Sequence, residues 1–381
     1  MKYGLLYYKD TNNIGDDIQS YVASRFMPRI DYMIDREHLN DFVPDKKEYV
    51  KTIMNSWYIH DKFNFDFSPY IYPLFISMFF KKFPYQAGVT VGVDYLNENV
   101  VKTFKKYSPI GTRDKHTLKI MNQLGVDSYF SGCLTLTLNK FDGVKKGDYI
   151  VAVGLTKKEL AYLRSKTKRE VIEFVQDVKL GSFSEETWDQ RKQRVEDILK
   201  LYQGAHLVVT NKLHCSLPCL ALETPVLLLY DTSFPENKDR IGTYITYLNY
   251  VKREEFFNTD LNLENPKPNP KKYLAIRKQL IDSCSKFISD DIKMNISDLP
   301  DVNVYKSLSY KNNVQKQVII KYFNLLSSKY EKECLKSSKL FREVNDLKYR
   351  NEQLEKDLNL MKNSRGWRFL EKIRKILRIR K

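Results

Sequence analysis

Cysteine is scarce in this chain and follows no pattern. There are five residues (Cys133, Cys215, Cys219, Cys284 and Cys334), an odd number with no CxxC pair. That argues against a disulfide framework and a structural zinc site, and for a reducing compartment. Long hydrophobic runs are missing too. The longest, Tyr70 to Phe80, holds 11 residues and contains Pro73, whereas a membrane-spanning helix needs roughly 20. The opening stretch, Met1 to Asp10, is a short apolar run ended by charges, without the longer apolar region and small-residue cleavage site of a secretion signal. A cytoplasmic location is expected. No strong internal repeat and no nucleic-acid-binding motif is present.

What is present describes a globular protein. Apolar residues make up 42% of the 381 positions and charged residues 29%, a length that predicts two to three domains at about 100 to 200 residues each. The formal net charge is +17, which raises nucleic acid, an anionic membrane surface or an anionic substrate as partners. Its position separates these. Residues 1–302 carry 43 basic and 39 acidic residues, whereas 303–381 carry 21 and 8. The excess is mostly a property of the tail, and nucleic acid is the weaker reading.

The chain begins with a buried strand, Gly4 to Tyr8, a polar turn, and a helix marked by Ile18, Tyr21, Val22 and Phe26 at helical spacing. Residues 30–85 are rich in aromatics and carry no clear period. Gly88 to Val93 has the composition of a short strand. Ile110 to Asp114 precedes a helix through Leu124 and a strand around Tyr129-Phe130. The turn-rich segment Phe141 to Asp148 is a plausible boundary. A second series follows: strand Tyr149–Val153, helix Lys157–Ser165, strand Val171–Val175, helix Glu185–Tyr202, strand Leu207–Val209, helix 213–222 and strand Val226–Tyr230. A further helix is expected at Lys272–Ile288, and Pro300 marks the end of the globular part. Two alternating series predict an α/β protein with two Rossmann-like domains facing a cleft, ligands binding beyond the carboxyl ends of the strands. The expected divisions are 1–145, 146–300, a helical segment 301–361 and a basic amphipathic helix 362–381.

Polar groups cluster just past buried strands. In Thr11 to Asp17, Gly15 permits a tight turn and close approach to a ligand, and Asp16 or Asp17 can accept a proton from a hydroxyl or hold a sugar. The competing reading is a helix N-cap. In Thr210-Asn211-Lys212-Leu213-His214, a helix N-terminus and Lys212 suit a phosphate or carboxylate, and His214 can serve as acid or base. Arg113 can grip an anion bidentately or form a local salt bridge with Asp114. Ser131-Gly132-Cys133 can form a small anion-binding turn. Cys133 has no identifiable partner, so a buried inert cysteine is favoured over a nucleophile.

Together these segments resemble the polysaccharide pyruvyl transferase family. The resemblance rests on Asn13-Ile14-Gly15-Asp16-Asp17-Ile18-Gln19, Gly111-Thr112-Arg113-Asp114, the run from Ser131 to Leu138, and Val208 to His214 continuing into Pro218-Cys219-Leu220-Ala221 and Thr224-Pro225-Val226. It covers roughly residues 1–290 in order. It implies a two-domain fold like that of GT-B glycosyltransferases, with phosphoenolpyruvate as donor, a glycan or lipid-linked oligosaccharide as acceptor, ketal formation as the reaction, and no metal or redox cofactor. By position, His214 and Asp16 are then the catalytic candidates. Lys212, Arg113, Asn13, Gly15, Asp17, Thr210, Asn211 and Ser131 are candidates for binding. One departure stands out: the family triplet is usually Arg-Leu-His, and here it is Lys212-Leu213-His214. Lysine keeps the charge but loses the planar fork. The alternatives are a GT-B glycosyltransferase using a nucleotide sugar, or a noncatalytic scaffold of a synthesis complex.

The tail carries two further patterns. Leu340, Val344, Leu347, Asn351, Leu354, Leu358 and Met361 step by four and three, three heptads with Asn351 at an a position. The expectation is a homodimer through 340–361, against a helix lying on the body. Residues 362–381 hold nine basic residues and one acidic, with Phe369, Leu370, Ile373, Ile376 and Leu377 on one side of a helical wheel and Trp367 nearby. That pattern fits an anionic membrane surface and predicts a peripheral position at the inner face of the membrane. The segment Asn363 to Arg368 also resembles tails of bacterial polysaccharide glycosyltransferases.

Overall fold

The structure is a computed structural model and describes residues 1–58, 67–80, 96, 98–176, 185–233, 235–291, 294–363 and 373. The apolar stretch Lys2–Tyr7 forms β1, buried from Gly4 to Leu6. Asn13 caps the next helix, α1 (Ile14–Ser24), by accepting the Gly15 N–H at 2.7 Å on its Oδ1. The aromatic-rich segment without a clear period contains short strands, β2 (Tyr32–Asp35), β3 (Val50–Ile53), β4 (Trp57–Tyr58), β5 (Ile71–Leu74) and β6 (Phe79–Phe80). One four-stranded sheet runs β2-β1-β3-β5, and β4 pairs separately with β6, all in parallel. Aromatic rings pack around them, Tyr58 stacked on Phe80 at 5.7 Å and Phe75 edge-on to Phe104 at 5.0 Å. Next come α2 (Glu98–Lys106), β7 (Ile110–Thr112), α3 (Lys115–Gln123) and β8 (Ser128–Phe130), with β7 and β8 parallel.

The second series is β9 (Tyr149–Val153), α4 (Lys157–Ser165), β10 (Glu170–Phe174), α5 (Trp188–Gly204), β11 (Leu207–Thr210), α6 (Leu213–Ala221), β12 (Val226–Tyr230), α7 (Pro235–Arg240) and β13 (Asn249–Lys252). Its strands form a parallel sheet in the order β10-β9-β11-β12-β13. Strands such as β11, buried along its whole length, read as apolar runs because helices cover both faces. The sequence places the start of α5 at Glu185. The capping box of Thr187 with Gln190 sets it at Trp188 instead. One hydrophobic cluster runs continuously from Leu5, Ile14 and Ile18 to Val151, Leu199, Val208 and Leu217, joining the two sheets through α1, α5 and α6.

α8 (Leu274–Ser289) and α9 (Val302–Asn363) complete the chain. The first compact unit lies within Met1–Phe83 and Thr90–Asn312 and contains both sheets; a second contains α9 beyond Asn312. The globular body therefore extends past Pro300. Tyr305 and Ser309, one helical turn apart, bind the Asn40 carbonyl at 2.8 Å and Asp41 Oδ1 at 3.1 Å, and Tyr305 meets the Tyr70 ring edge-on. The strand expected at Gly88–Val93 and the amphipathic helix expected beyond Asn363, Ile373 excepted, lie outside the described residues. Among the described residues no helix is long and apolar enough to cross a membrane.

Candidate active site

Parallel strands point their carboxyl ends the same way, and in this chain strands from both series end at one cavity of about 270 Å³. Tyr8, Asn12, Asn13 and Asp16 enter it from the turn after β1. Trp57 and Phe79 enter from β4 and β6, and Arg113 from just beyond β7. Gln176 follows β10; Lys212, Leu213 and His214 follow β11; Arg240 closes α7. The wall carries three cations, one carboxylate and three aromatic rings.

His214 sits in the first turn of α6 with φ −79° and ψ 15°, outside helical values. The cause lies four residues on. Pro218 has no N–H to give the His214 carbonyl, and Gln176 Nε2 donates to that carbonyl instead at 3.3 Å. The imidazole packs on Gly15: a Cβ there would meet Nδ1 at 2.9 Å and Cβ of His214 at 3.0 Å. Nε2 faces Arg113 Nη1 at 3.3 Å. Arginine only donates, so Nε2 accepts and the ring proton belongs on Nδ1. Burial, then the Arg113 charge, push the imidazole down to about 3, although Asp16 pulls the other way. His214 is therefore neutral at physiological pH. Arg113 is itself fixed, with Nη1 donating to Gln19 Oε1 at 2.9 Å and the guanidinium over the Phe79 ring at 4.7 Å.

Asp16 accepts hydrogen bonds from Thr11 Oγ1 at 2.7 Å and from Arg36 Nη1 at 2.9 Å. Burial disfavours its charge, but the Arg36 guanidinium and these hydrogen bonds outweigh it and hold the carboxyl below its ordinary value. Arg36 is wholly buried, reaches Glu37 and Ser56, and stacks on the Tyr8 ring at 4.2 Å. Asp16 is thus an ionised acceptor facing the cavity, opposite a neutral histidine.

Lys212 is the N-cap residue of α6, positioned by a hydrogen bond from its N–H to Thr210 Oγ1 at 2.9 Å. Gly154 makes room for this turn. Its φ is +72°, and a Cβ there would meet Asn211 Oδ1 at 2.4 Å.

Of the residues singled out from sequence, Asn13, Asp16, Arg113, Lys212 and His214 line the cavity and Gly15 supports its floor. The other four do not line it. Asp17 is fully buried beneath α1, bound by Arg191 at 3.3 Å and Arg194 at 2.8 Å, so that it ties α1 to α5. Burial pushes its carboxyl up to about 6 against the pull of both arginines. Thr210 is buried in the Lys212 turn, and Asn211 lies against Gly154. Ser131 is buried, accepting the Ser77 N–H at 3.0 Å and donating to the Thr112 carbonyl at 3.0 Å. Sequence reasoning missed Tyr8, Asn12, Trp57, Phe79, Gln176 and Arg240. Tyr8, the last residue of one predicted strand, and Gln176, just past another, could have been found by position. Trp57 and Phe79 stand in the segment without a period, and Arg240 had no signal.

A parallel α/β scaffold that delivers a carboxylate, an imidazole and several cations to the ends of its strands has the makings of a group-transfer enzyme. Residues 13–233 match the family model for polysaccharide pyruvyl transferase, and the chain belongs to that family. The matched segment includes every residue lining the cavity except Tyr8, Asn12 and Arg240. No curated protein matches the chain.

Proposed function

We propose that this protein transfers pyruvate from phosphoenolpyruvate to a sugar of a cell-surface polysaccharide or its lipid-linked precursor, forming a ketal. The observation that carries this reading is the cavity itself. His214, a neutral imidazole, and Asp16, an ionised carboxylate, stand beside Arg113, Lys212 and Arg240. The three cations suit the donor carboxylate and phosphate. Anionic donor charge beside the imidazole raises its proton affinity, so His214 becomes the acid that protonates the enol methylene carbon. A sugar hydroxyl attacks the resulting cationic carbon and gives its proton to Asp16. Phosphate leaves, and a second hydroxyl closes the ring. Of the two hydroxyl protons, one replaces that given to carbon and one goes to phosphate. Tyr8, Trp57 and Phe79 offer flat apolar faces to the acceptor sugar. Residues 362–381 hold the enzyme at an anionic membrane surface, on the cytoplasmic side.

The test is incubation with phosphoenolpyruvate and candidate glycans, following phosphate release and a glycan mass gain of one pyruvate less one water. His214→Gln should reduce turnover by about 100-fold or more. Thermal stabilisation by a nucleoside diphosphate with none by phosphoenolpyruvate would overturn the reading and favour a nucleotide-sugar glycosyltransferase.

A further inference from the structure

α9 is one uninterrupted helix from Val302 to Asn363. Four of its heptad residues are turned to solvent: Leu340 is 61% exposed, Val344 46%, Leu347 63% and Leu354 65%. In heptad register Leu340, Leu347 and Leu354 are d positions, and Val344 and Asn351 are a positions. The seam from Leu340 to Met361 is about 33 Å long at the usual rise per residue.

The flanking charges identify what covers this seam. In a parallel in-register pair, each g residue meets the e residue five positions later on the other chain. Glu343 then meets Lys348, and Arg350 meets Glu355. The next step in the sequence, Asp357 with Lys362, is again opposite in sign. All three pairs attract. The same alignment sets Asn351 against Asn351, where two amides can bond each other. An antiparallel partner would set Asn351 against a leucine, leaving a buried amide without a partner.

We infer that Leu340–Met361 of α9 is a parallel, in-register dimerisation seam whose occupant is a second copy of this chain. This inference stands on α9 alone and is independent of the reaction proposed above. Its consequence concerns the tail. A parallel pair brings both C-terminal segments, each with a net charge of +8 over 362–381, to the same end of the paired helices. Two basic segments on one particle bind an anionic surface with avidity that neither has alone.

The experiment is sedimentation equilibrium of the full chain from about 1 to 100 µM, in a range set by the marginal length of three heptads. A monomer–dimer equilibrium is expected, and a monomer throughout overturns the proposal. Leu347→Glu with Leu354→Glu should give a monomer with unchanged unfolding of the body; a surviving dimer overturns it. Glu343→Lys alone should weaken the dimer about tenfold, because it reverses two symmetric pairs, and Glu343→Lys with Lys348→Glu should restore it. Failure of that rescue overturns the pairing. Direction is read by oxidising Asn351→Cys in a Cys334→Ser background. A parallel seam gives a 351–351 crosslink; a dimer without that crosslink overturns the parallel register.

Discussion

Nε2 of His214 lies 3.3 Å from Nη1 of Arg113, and this contact fixes both the tautomer and the charge of the imidazole. A protonated ring would place N–H against N–H there. The folded state therefore holds His214 neutral, down to about pH 3, whereas in the unfolded chain it titrates near 6.5. Between these values the unfolded state binds the extra proton. This contribution is full above pH 6.5 and falls as pH drops toward 3. At pH 5 the loss is about 2 kcal/mol. Asp17, pushed up to about 6, protonates in the folded state over part of the same range and acts in the opposite sense. The measurement is thus a difference: urea unfolding at pH 5 and pH 7 for wild type and His214→Gln. The variant should show the smaller loss on acidification, and equal losses would contradict the neutral assignment.

Gly15 is required by the same imidazole. An alanine at position 15 places its Cβ 2.8 Å from Asn13 Oδ1 and 2.9 Å from His214 Nδ1, closer than carbon atoms tolerate. Helix propensity favours alanine by about 1 kcal/mol, so any loss reports the clash. Gly15→Ala should cost about 1–3 kcal/mol of stability. Its larger effect should be on turnover, because a displacement of about 1 Å at a reacting group costs on the order of 100-fold. Steady-state kinetics with a thermal melt separate the two effects.

Arg36 and Asp16 form a buried ion pair at 2.9 Å, with the arginine side chain wholly inaccessible. Removing the cation leaves an uncompensated carboxylate. Arg36→Met should destabilise the fold by about 3–5 kcal/mol. It should also raise the Asp16 titration, moving the acidic limb of the kcat/KM profile toward higher pH. Arg36→Lys keeps the charge but loses the separate Nε bond to Glu37. It should retain the pH profile better than it retains stability. An acidic limb that stays in place in Arg36→Met would remove Asp16 from the reaction.

Much of this arrangement was legible in the sequence, for physical reasons that differ by region. Parallel strands buried on both faces, such as Leu207–Thr210 and Val226–Tyr230, leave unbroken apolar runs, and the polar turns after them mark where a ligand site forms. Asp16, Arg113 and His214 were visible for that reason. The four-residue strands β2, β3 and β5 were not, because their order depends on aromatic packing between distant segments rather than on a local period. Arg36 was also hidden. It lies 20 residues from Asp16 in sequence and looks like an ordinary surface arginine. Asp16 and Asp17 are adjacent and indistinguishable by type. Helix geometry alone turns one to the cavity and the other into the arginine pair beneath α1.

The basic segment at the C-terminus gives a prediction separable from the chemistry. Deleting residues 362–381 removes nine basic residues and one acidic. Binding to anionic liposomes should be lost, at about 1 kcal/mol for each basic residue near the surface. Unfolding of the body should be unchanged. Flotation with vesicles of anionic and neutral lipid measures this, and equal binding by full-length and shortened chains would contradict it.

Gln176, Pro218 and His214 supply the most discriminating test of how the site is held. Gln176 Nε2 donates to the His214 carbonyl at 3.3 Å and to Tyr202 Oη at 3.1 Å. The carbonyl needs this donor because residue 218 is proline. Gln176→Ala should therefore cost about 1–3 kcal/mol, the usual penalty for a buried acceptor left without a partner. Pro218→Ala restores an N–H four residues beyond His214. In the double variant Gln176→Ala with Pro218→Ala, that N–H can take the carbonyl, and most of the lost stability should return. Turnover should not return with it, because a regular first turn of α6 rotates His214 away from its non-helical ψ of 15° and off Gly15. A double-mutant cycle in stability, read beside kcat for the same four proteins, distinguishes these effects. Coupling in stability without recovery of kcat is the expected result. Recovery of both would mean that the kink at His214 has no part in catalysis.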